Sequence, residues 1–524
     1  MRLSLRIGLV LVCALFALRC SSFGSNNAEG PASDGDGGAD VAQSDAAFVP
    51  RVVLSGPPIL VGRPSQTITL TIDMAREGLV GEGRISVSVP NPAQLSSPAE
   101  VVLPNDQTRA TFDVTIAAGA KPTTDDLLIE VTGNAGGVTA SLDVPFAIWG
   151  RPGTPDQSFG DAGFVVGPEG DGVAVAVQKT GHVIVAGTTA DPKHFLVARF
   201  TRRGALDTTF GASGQKVIDF EPTDELVRVF VRPDDRILVV GYTPTKTAVA
   251  QLTTGGALDP AFGTQGKVLT AFGRPLAKTY GARLAADGKL VVVGEANALP
   301  NTDSLIGRLN VDGSPDDSVD TSGAKVHGID PNNRDIFSDV EVEVGNEKRI
   351  VAAGHAEDLG QKSVLAGFTS NAIGDASFKL STGTAETFSL IARQPDGRLL
   401  TVSNHDVRRW TADGQEDTTF NGLNGKIPIV AHSVSALVIE ANGSIVLFSD
   451  SAMQGVLSRF GPDGTPAMGF GGAPDQHTYS FDVFGQKEVI PMGMALQPDG
   501  KIIVTGTTVS PANRRTMFVG RFYP

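Results

Sequence analysis

A degenerate repeat fills the C-terminal two-thirds of this 524-residue chain and constrains its fold more than any other feature. Its first element is Asp-x-x-Phe, usually followed by glycine. Intact copies lie at Asp156/Phe159, Asp207/Phe210, Asp259/Phe262, Asp375/Phe378 and Asp417/Phe420, and degenerate copies at Asp316/Val319 and Ala467/Phe470. The first and last phenylalanines are 311 residues apart over six intervals, so the period is about 52 residues. This periodicity predicts an array of seven similar units.

The second element is a turn followed by a buried strand. The turn is clearest as Gln-Pro-Asp-Gly, at 394–397 and 497–500, and β-branched runs such as Ile237-Leu238-Val239-Val240 follow it. Continuous apolar runs of this kind are typical of strands covered on both faces. We expect each strand to end at a small residue six positions past its turn. These residues are Gly187, Gly241, Gly294, Gly354, Ser403, Ser449 and Gly506.

The third element is a strand that carries a basic–apolar pair. Copies are Arg199-Phe200, Arg308-Leu309, Arg409-Trp410, Arg459-Phe460 and Arg521-Phe522, with weaker ones at Gln251-Leu252 and Gly367-Phe368. Eight residues always separate this position from the next Asp or its substitute, which indicates a fixed turn. A contact repeated in every unit is structural rather than catalytic. We therefore predict that Arg199 pairs with Asp207, and that other copies do likewise except where Gln251, Gly367 and Ala467 interrupt the pattern.

A short outer strand completes each unit, as at Gly214-Gln215-Lys216-Val217 and Gly425-Lys426-Ile427. Four short strands per repeat without helical periodicity are typical of a propeller blade. The last repeat has no outer strand, whereas Phe164-Val165-Val166 precedes the first blade, and pairing them would remove two exposed sheet edges. The sequence thus predicts an all-β fold in which residues 150–524 form a seven-bladed β-propeller preceded by a β-sandwich domain.

These motifs resemble the Delta-60 repeat family of bacterial surface and secreted proteins. The nearest matches are Leu206-Asp207-Thr208-Thr209-Phe210-Gly211 and Gln497-Pro498-Asp499-Gly500-Lys501. The resemblance covers about residues 153–524 and implies a β-propeller without a common activity. The fourth copy departs most, with Val319 in place of Phe.

Residues 47–149 show the strict alternation of half-buried strands. The alternating stretches include Thr67–Ile72, Arg84–Val89, Ala110–Ile116 and Ser141–Phe146. About seven strands in roughly 100 residues fit a β-sandwich. This segment resembles the bacterial immunoglobulin-like domains of surface proteins, which implies a spacer or adhesion module.

The N-terminus predicts export. Two arginines precede an apolar run of 12 residues from Ile7 to Leu18, too short to span a membrane, so residues 1–19 are a predicted signal peptide. Cys20 then resembles the lipidated cysteine of a bacterial lipoprotein, although Arg19 replaces the usual small residue; the alternative is ordinary cleavage and release. Residues 20–46 are a predicted disordered tether. We expect an outer-membrane or cell-surface lipoprotein, or else a secreted protein.

The net charge and the sequence motifs limit the partners and the kinds of site that we expect. After removal of the signal peptide, 40 basic and 57 acidic residues remain, so nucleic acid is an unfavourable partner and the membrane is reached only through the anchor. Metal-ligand spacings, phosphate loops and nucleophile elbows are absent from the sequence, so we predict no catalytic residue, cofactor or metal site. The histidines so considered are His182, His194, His327, His355, His405, His432 and His477.

An acidic stretch from Asp316 to Glu347 coincides with the most divergent repeat. Its carboxylates and Asn332-Asn333 could bind calcium, but their spacing matches no known loop. We favour a solvated acidic loop.

Three classes of function remain. A non-catalytic binding or scaffold protein, monomeric and presenting a propeller to a protein or glycan, fits the broad loop-built faces best. The alternatives are a propeller enzyme acting on polysaccharide, either a lyase or a hydrolase, and a purely structural envelope protein.

Overall fold

The computed structural model describes residues 49–57, 59–123, 127–298, 301–329, 333–343, 349–357, 362–383, 386–422, 425–429 and 433–524. The predicted signal peptide, Cys20 and the predicted tether lie outside these residues. Residues 50–524 form one compact unit. Strands dominate it, with one 3₁₀ turn at Phe420–Gly422. None of the helical segments in the described residues is long and apolar enough to cross a membrane.

The first part of the unit contains two sheets. Their strands are β1 (Arg51–Ser55), β2 (Leu60–Gly62), β3 (Thr67–Glu77), β4 (Gly83–Ser88), β5 (Leu95–Ser96), β6 (Glu100–Leu103), β7 (Arg109–Ile116), β8 (Leu127–Ala135) and β9 (Val138–Ile148). One sheet has the order β1-β3-β7-β5 and the other β2-β9-β8-β4-β6. The described residues thus hold nine strands where we expected about seven. The shortest of them, β2 and β5, have three and two residues and are too short to show an alternating pattern in the sequence.

A single apolar core joins these two sheets. Buried and exposed residues alternate along the whole of β7, as period-two patterning requires. Phe112 and Val114 from one sheet pack with Ile129, Val144 and Phe146 from the other. This face-to-face packing is that of the predicted β-sandwich.

Seven four-stranded sheets follow in the described residues, and we number them in chain order. Their strands are β10 (Phe164–Glu169), β11 (Asp171–Val177), β12 (Val183–Thr188), β13 (Phe195–Phe200), β14 (Gln215–Ile218), β15 (Glu225–Val231), β16 (Ile237–Tyr242), β17 (Thr247–Leu252), β18 (Lys267–Thr270), β19 (Ala277–Leu284), β20 (Leu290–Ala298), β21 (Asn301–Leu309), β22 (Ala324–His327), β23 (Asp335–Val342), β24 (Ile350–Ala356), β25 (Lys362–Phe368), β26 (Ser381–Thr382), β27 (Leu390–Arg393), β28 (Leu399–Val402), β29 (Asp406–Trp410), β30 (Lys426–Pro428), β31 (Val434–Ile439), β32 (Ile445–Ser451), β33 (Gln454–Phe460), β34 (Thr478–Phe481), β35 (Glu488–Leu496), β36 (Ile502–Val509) and β37 (Arg515–Phe522).

Sheets one to six are antiparallel meanders of four consecutive strands, from β11–β14 to β31–β34. Their first strands are innermost. These contact one another in the cycle β11-β15-β19-β23-β27-β31-β35, and β35 contacts β11 again. The sheets are therefore arranged radially around a closed centre, which is the predicted propeller architecture.

The seventh sheet closes the ring with a strand from the start of the array. Its order is β10-β37-β36-β35, and Phe164, Val165 and Val166 pair with Gly520, Val519 and Phe518. The predicted completion of the last blade by Phe164–Val166 is therefore confirmed. Phe164 is buried, and its ring lies 5.2 Å from that of Phe481 and 5.6 Å from that of Phe522.

The small residues after the buried run do not end their strands, contrary to our expectation. β12 and β16 continue one residue past Gly187 and Gly241, and β36 extends to Val509. Instead, six of the seven positions, all but Ser403, face a β-bulge on the innermost strand, where its backbone comes close. A Cβ atom would lie 1.6 Å from a carbonyl oxygen at Gly187 and 2.0 Å at Gly241. Glycine is thus required by close approach rather than by chain termination.

Candidate functional site

The repeated Arg–Asp pair is a structural contact within the blades that keep both residues. Arg199 Nε donates to Asp207 at 2.8 Å, and the same bond joins Arg308 to Asp316 at 2.6 Å and Arg409 to Asp417 at 2.9 Å. The second carboxylate oxygen of Asp207 accepts the backbone N–H of Thr209, which fixes the turn. The predicted pairing of Arg199 with Asp207 is therefore confirmed.

The first copy of the motif belongs to the last blade. Arg521 donates to Asp156 at 2.7 Å, across 365 residues of chain, and Lys501 lies 2.9 Å from the same carboxylate. Burial by itself raises the pKa of Asp156, but Arg521 and Lys501 outweigh it and lower that pKa to about 2. These ion pairs stabilise the same blade in which β10 and β37 pair to close the ring.

The motif also connects neighbouring blades. Arg409 donates to the carbonyl of Pro462 at 2.8 Å, and Arg521 donates to that of Arg202 at 2.6 Å, in each case in the turn of the next sheet. The glycine after the motif phenylalanine does the same, as Gly211 donates to Gly255 at 2.9 Å. The guanidinium of Arg409 lies 4.6 Å from the centroid of Phe420. One arginine thus holds the Asp, the Phe and the adjacent blade together. The spacing of eight residues itself is fixed by a backbone bond that does not need the arginine, since Asp259 N–H donates to the carbonyl of Gln251 at 2.9 Å.

Other residues fill the positions where the pattern breaks. Gln251 donates its amide to Asp259 at 2.8 Å, and Arg236 binds the same carboxylate at 2.9 Å. In the next broken copy, Arg349 donates to Asp375 at 2.6 Å. The sequence reasoning missed this second cation, which enters from the turn before the buried strand. The basic residue after Asp-Gly in Asp-Gly-Lys was the available signal.

The central channel is where charged side chains from different blades converge. It encloses about 410 Å³. Its charged lining comes from four consecutive blades: Arg228, Arg283, Asp339, Glu341 and Arg393. The wall contributed by the remaining blades is mostly apolar and includes Val173, Leu437, Ile439, Met494 and Leu496. The channel therefore has a charged side and an apolar side.

Ion pairs organise the charged side. Arg228 binds Asp339 at 3.2 Å, Arg283 binds Glu341, and Arg393 binds Glu343 at 2.7 Å at the channel mouth. Glu341 is only 2% exposed. Burial raises its pKa to about 7, against the opposing effect of Arg283. A carboxyl that changes protonation near neutral pH is thus held in the channel wall.

The acidic stretch is not the solvated loop that we favoured. Asp335, Asp339 and Glu341 lie on β23, an innermost strand, and all three are buried. Asp316 belongs to the blade motif, with Arg308 and Lys289 as partners. Asp339 and Glu341 are two positions apart on β23, so both side chains point to the same face of the strand, toward the interior. Asn332 lies outside the described residues, and arginines pair with Asp316, Asp339 and Glu341.

One group of described side chains has metal-ligand geometry. The ligand atoms of His194, Asp219 and Asp224 lie within 4.8 Å of one another. Asp224 is fully buried and accepts the backbone N–H groups of Phe220 at 2.9 Å and Glu221 at 3.0 Å. Its carboxylate therefore already has a role in fixing the turn between the first two blades.

A groove of about 620 Å³ lies where the sandwich meets the seam of the ring. Pro122 contributes from the sandwich, Tyr479 from β34 of the sixth sheet, and Phe484 from the turn between β34 and β35. Phe484 is 44% exposed, in the left-handed backbone region with φ of 45°. Gln454 donates to Asp482 at 3.0 Å beside it. The groove thus combines aromatic rings with orientable polar groups.

The sandwich is joined to the ring by direct contacts. Arg63 donates to the carbonyl oxygens of Pro524 at 2.7 Å and Gly150 at 3.3 Å. The rings of Trp149 and Tyr523 lie 6.3 Å apart, and both side chains are buried. These bonds tie the end of the sandwich to the end of the last blade.

These features define the class of protein, an all-β chain with a closed β-propeller attached to a β-sandwich. Four stretches, residues 178–210, 232–262, 285–318 and 497–517, match the family described as "Domain of unknown function (DUF5122) beta-propeller". They cover less than half of the chain and contain the buried strands and motif turns. The match supports the repeat-propeller resemblance inferred from the motifs. No curated protein matches the chain significantly.

Solved structures give more distant similarities. Prolyl oligopeptidase B from Galerina marginata is 10% identical, with 75% of this chain and 55% of that one covered and a TM-score of 0.33. The plexin A4 extracellular region is 9% identical, with 67% and 46% covered and a TM-score of 0.37. The chain thus spans about half the length of these structures. These values are too low to transfer an activity.

Proposed function

We propose that this protein is a non-catalytic binding or scaffold protein that presents its propeller to a glycan or protein outside the cytoplasm. The observation that carries the proposal is the joint between sandwich and ring. Arg63 and the Trp149–Tyr523 contact hold the propeller in one orientation on the sandwich. A broad ring fixed on a spacer suits display, and loop-built faces suit recognition.

The groove beside this joint is the proposed recognition surface. Phe484 exposes an aromatic face that a sugar ring or an aromatic side chain can cover, and the Gln454–Asp482 pair supplies donors and acceptors next to it. Pockets that combine apolar walls with a few placed polar groups are typical ligand sites. We favour a glycan because one exposed ring beside amide and carboxylate groups matches the alternating faces of a sugar.

A glycan array tests this function. We expect the purified protein to retain a defined subset of glycans without turnover, and Phe484→Ala to lose at least tenfold in affinity. Met453→Ala, at another exposed apolar side chain, is the control and should bind normally. Binding of a protein that Phe484→Ala abolishes, with no glycan retained on the array, would contradict the glycan assignment.

Export and anchoring complete the proposal. The immunoglobulin-like sandwich would act as a spacer, and lipid on Cys20 would hold the protein at the outer membrane or cell surface. Labelling with a radioactive fatty acid should mark the wild type but not Cys20→Ala, which should appear in the medium. An unlabelled wild type in the medium would support simple secretion instead.

The charged channel favours one alternative, a polysaccharide lyase or hydrolase. Glu341 has the raised pKa of a general acid, and Arg283 could neutralise a uronate. Incubation with acidic and neutral polysaccharides, followed by assay of reducing ends and unsaturated products, distinguishes this from binding. Cleavage that Glu341→Gln abolishes would establish the enzyme. If the protein neither binds nor cleaves any of these polysaccharides, the structural envelope role would be favoured.

A further inference from the structure

The central channel gathers arginine side chains from three blades although the protein as a whole is acidic. Three guanidinium groups and two carboxylates line it, and Glu343 at its mouth pairs with Arg393, in a chain with a formal net charge of −14. The three arginines come from β15, β19 and β27, on both sides of the carboxylates of β23. An anion entering this channel would therefore find guanidinium groups on three of the blades that surround it.

The arginines retain donors that the described residues do not use. Arg393 binds Glu343 and the carbonyl of Gly397 through Nη1, whereas its Nε and Nη2 are buried without a described partner. Nε and Nη2 together form the edge of a guanidinium that takes a carboxylate in two parallel bonds. Buried donors without an acceptor raise the free energy of the empty protein, and rotation of this guanidinium toward an anion in the channel would relieve that cost.

Arg283 supplies a more accessible cation on the same side. Its side chain is 47% exposed, and among the described residues Glu341 is its ion-pair partner. Arg283 and Arg393 also both line the neighbouring cavity of about 650 Å³ at the channel mouth. They can therefore approach one bound group from two blades.

The opposite wall is apolar over three consecutive blades. Leu437 and Ile439 lie on β31, Met494 and Leu496 on β35, and Val173 on β11. Each of the first four is only partly buried, so the channel leaves part of its surface uncovered. Covering this surface with a hydrocarbon body would contribute roughly 25 cal/mol per Å².

We propose that the central channel binds a small carboxylate with an apolar body, its head against Arg283 and Arg393 and its body against Leu437, Met494 and Leu496. A channel of about 410 Å³ lies within the usual range for small-molecule sites. The proposal goes beyond the recognition of a glycan or protein, because the channel and the groove share no lining residue.

Calorimetric titration of the purified protein with four probes tests the ligand class. Octanoate has both the carboxylate and the hydrocarbon chain. Octan-1-ol has the chain without the charge, octylammonium has the chain with a positive charge, and acetate has the carboxylate without the long chain. We expect octanoate to bind at least tenfold more tightly than the other three. Equal binding of octan-1-ol, or tighter binding of octylammonium, would overturn the proposal.

Variants test the position of the ligand. Arg283→Gln should weaken octanoate at least tenfold and leave octan-1-ol unchanged, and Leu437→Asn should weaken both. Arg514→Gln, which removes an exposed arginine paired with Glu169 at the rim, is the matched control and should have no effect. Octanoate binding that Arg283→Gln leaves unchanged would contradict the assignment.

Methionine methyl resonances give a readout in the wild-type protein. With labelled methyl groups, octanoate should shift the signals of Met492 and Met494, which line the channel, and leave that of Met74 in the sandwich core unchanged. Shifts confined to other methionines would place the ligand elsewhere and overturn the proposal. Glycan binding at the groove is measured separately, so failure of one proposal does not mimic failure of the other.

Discussion

At the residue scale, the motif aspartate gathers several donors at once. Asp316 is 2% exposed and accepts from Arg308, Lys289 and Ser318. Burial alone raises its pKa, but the bonds from Lys289, Ser318 and Arg308 prevail and hold that pKa well below its usual range. Its carboxylate is therefore charged in the folded protein at neutral pH, and each partner depends on it.

Removal of one member of this cluster should be costly. We expect Asp316→Ala to lower the free energy of unfolding by about 3 kcal/mol, because a buried arginine loses its carboxylate. A double-mutant cycle with Arg308→Ala should give a coupling of about 1–3 kcal/mol in urea unfolding. Arg84→Ala, from an exposed pair with Glu100, is the control with little expected effect. Zero coupling would contradict the structural role of the pair.

Glu341 predicts a pH dependence of stability. Its pKa is about 7 in the folded protein because of burial, against about 4.3 in an unfolded chain. Between these values the folded state binds more protons, so its contribution to stability decreases as pH rises from about 4.3 to about 7. Glu341→Gln should flatten urea-unfolding stability over that interval. The same slope in wild type and variant, with exposed Glu100→Gln as control, would argue against the buried carboxyl.

At the element scale, the innermost strands owe their shape to a bulge opposite glycine. The register shifts between Leu226 and Arg228 in the second blade and between Phe337 and Asp339 in the fourth. Both shifts place the following charged residue in the channel wall, since a bulge redirects the side chain after it. The bulges therefore connect the repeat's small residue to the charged channel.

Gly241→Ala tests this connection. The added Cβ would lie 2.0 Å from the carbonyl oxygen of Glu225, so the innermost strand must move. We expect a loss of about 1–3 kcal/mol in unfolding free energy, as for other overpacked sites. Gly374→Ala, with open space around its Cβ, is the matched control. Equal stability of both variants would show that the bulge adapts without cost.

At the scale of the whole molecule, the ring depends on a strand from the beginning of the array. β10 covers the edge of β37, and its Phe164 lies among the rings of Phe481, Phe484 and Phe522. Asp156 adds its ion cluster with Arg521 to the same seam. Closure therefore couples residues more than 300 positions apart in sequence.

Phe164→Ala should weaken this seam strongly. Loss of a buried phenylalanine costs about 3–5 kcal/mol, and here it also loosens the closing strand. Val166→Ala on the same strand, where the side chain is 37% exposed, is the control. We expect hydrogen exchange in β37 to accelerate in the first variant only. Unchanged exchange there would mean that closure does not rely on the strand.

The sequence alone determined the local structure of this protein. The buried valine-rich runs, the Asp-Gly turns and the eight-residue step from Arg199 to Asp207 are short-range features, whose conformation depends mainly on neighbouring residues. Even ring closure followed from a missing outer strand in the last repeat and an unpartnered one near Phe164. Each of these predictions rests on a pattern that the repeat shows several times in the sequence.

Only the tertiary structure decided where the charges meet. Arg228, Arg283, Glu341 and Arg393 stand on four innermost strands from four repeats, and along any one strand each looks like an ordinary solvent-facing residue. For this reason the sequence analysis favoured a solvated loop for the stretch that contains Glu341. Ring closure brings alternate residues of separate strands to one axis. Because these side chains are buried by segments far away in the sequence, the residues next to them in the chain do not indicate that they are buried.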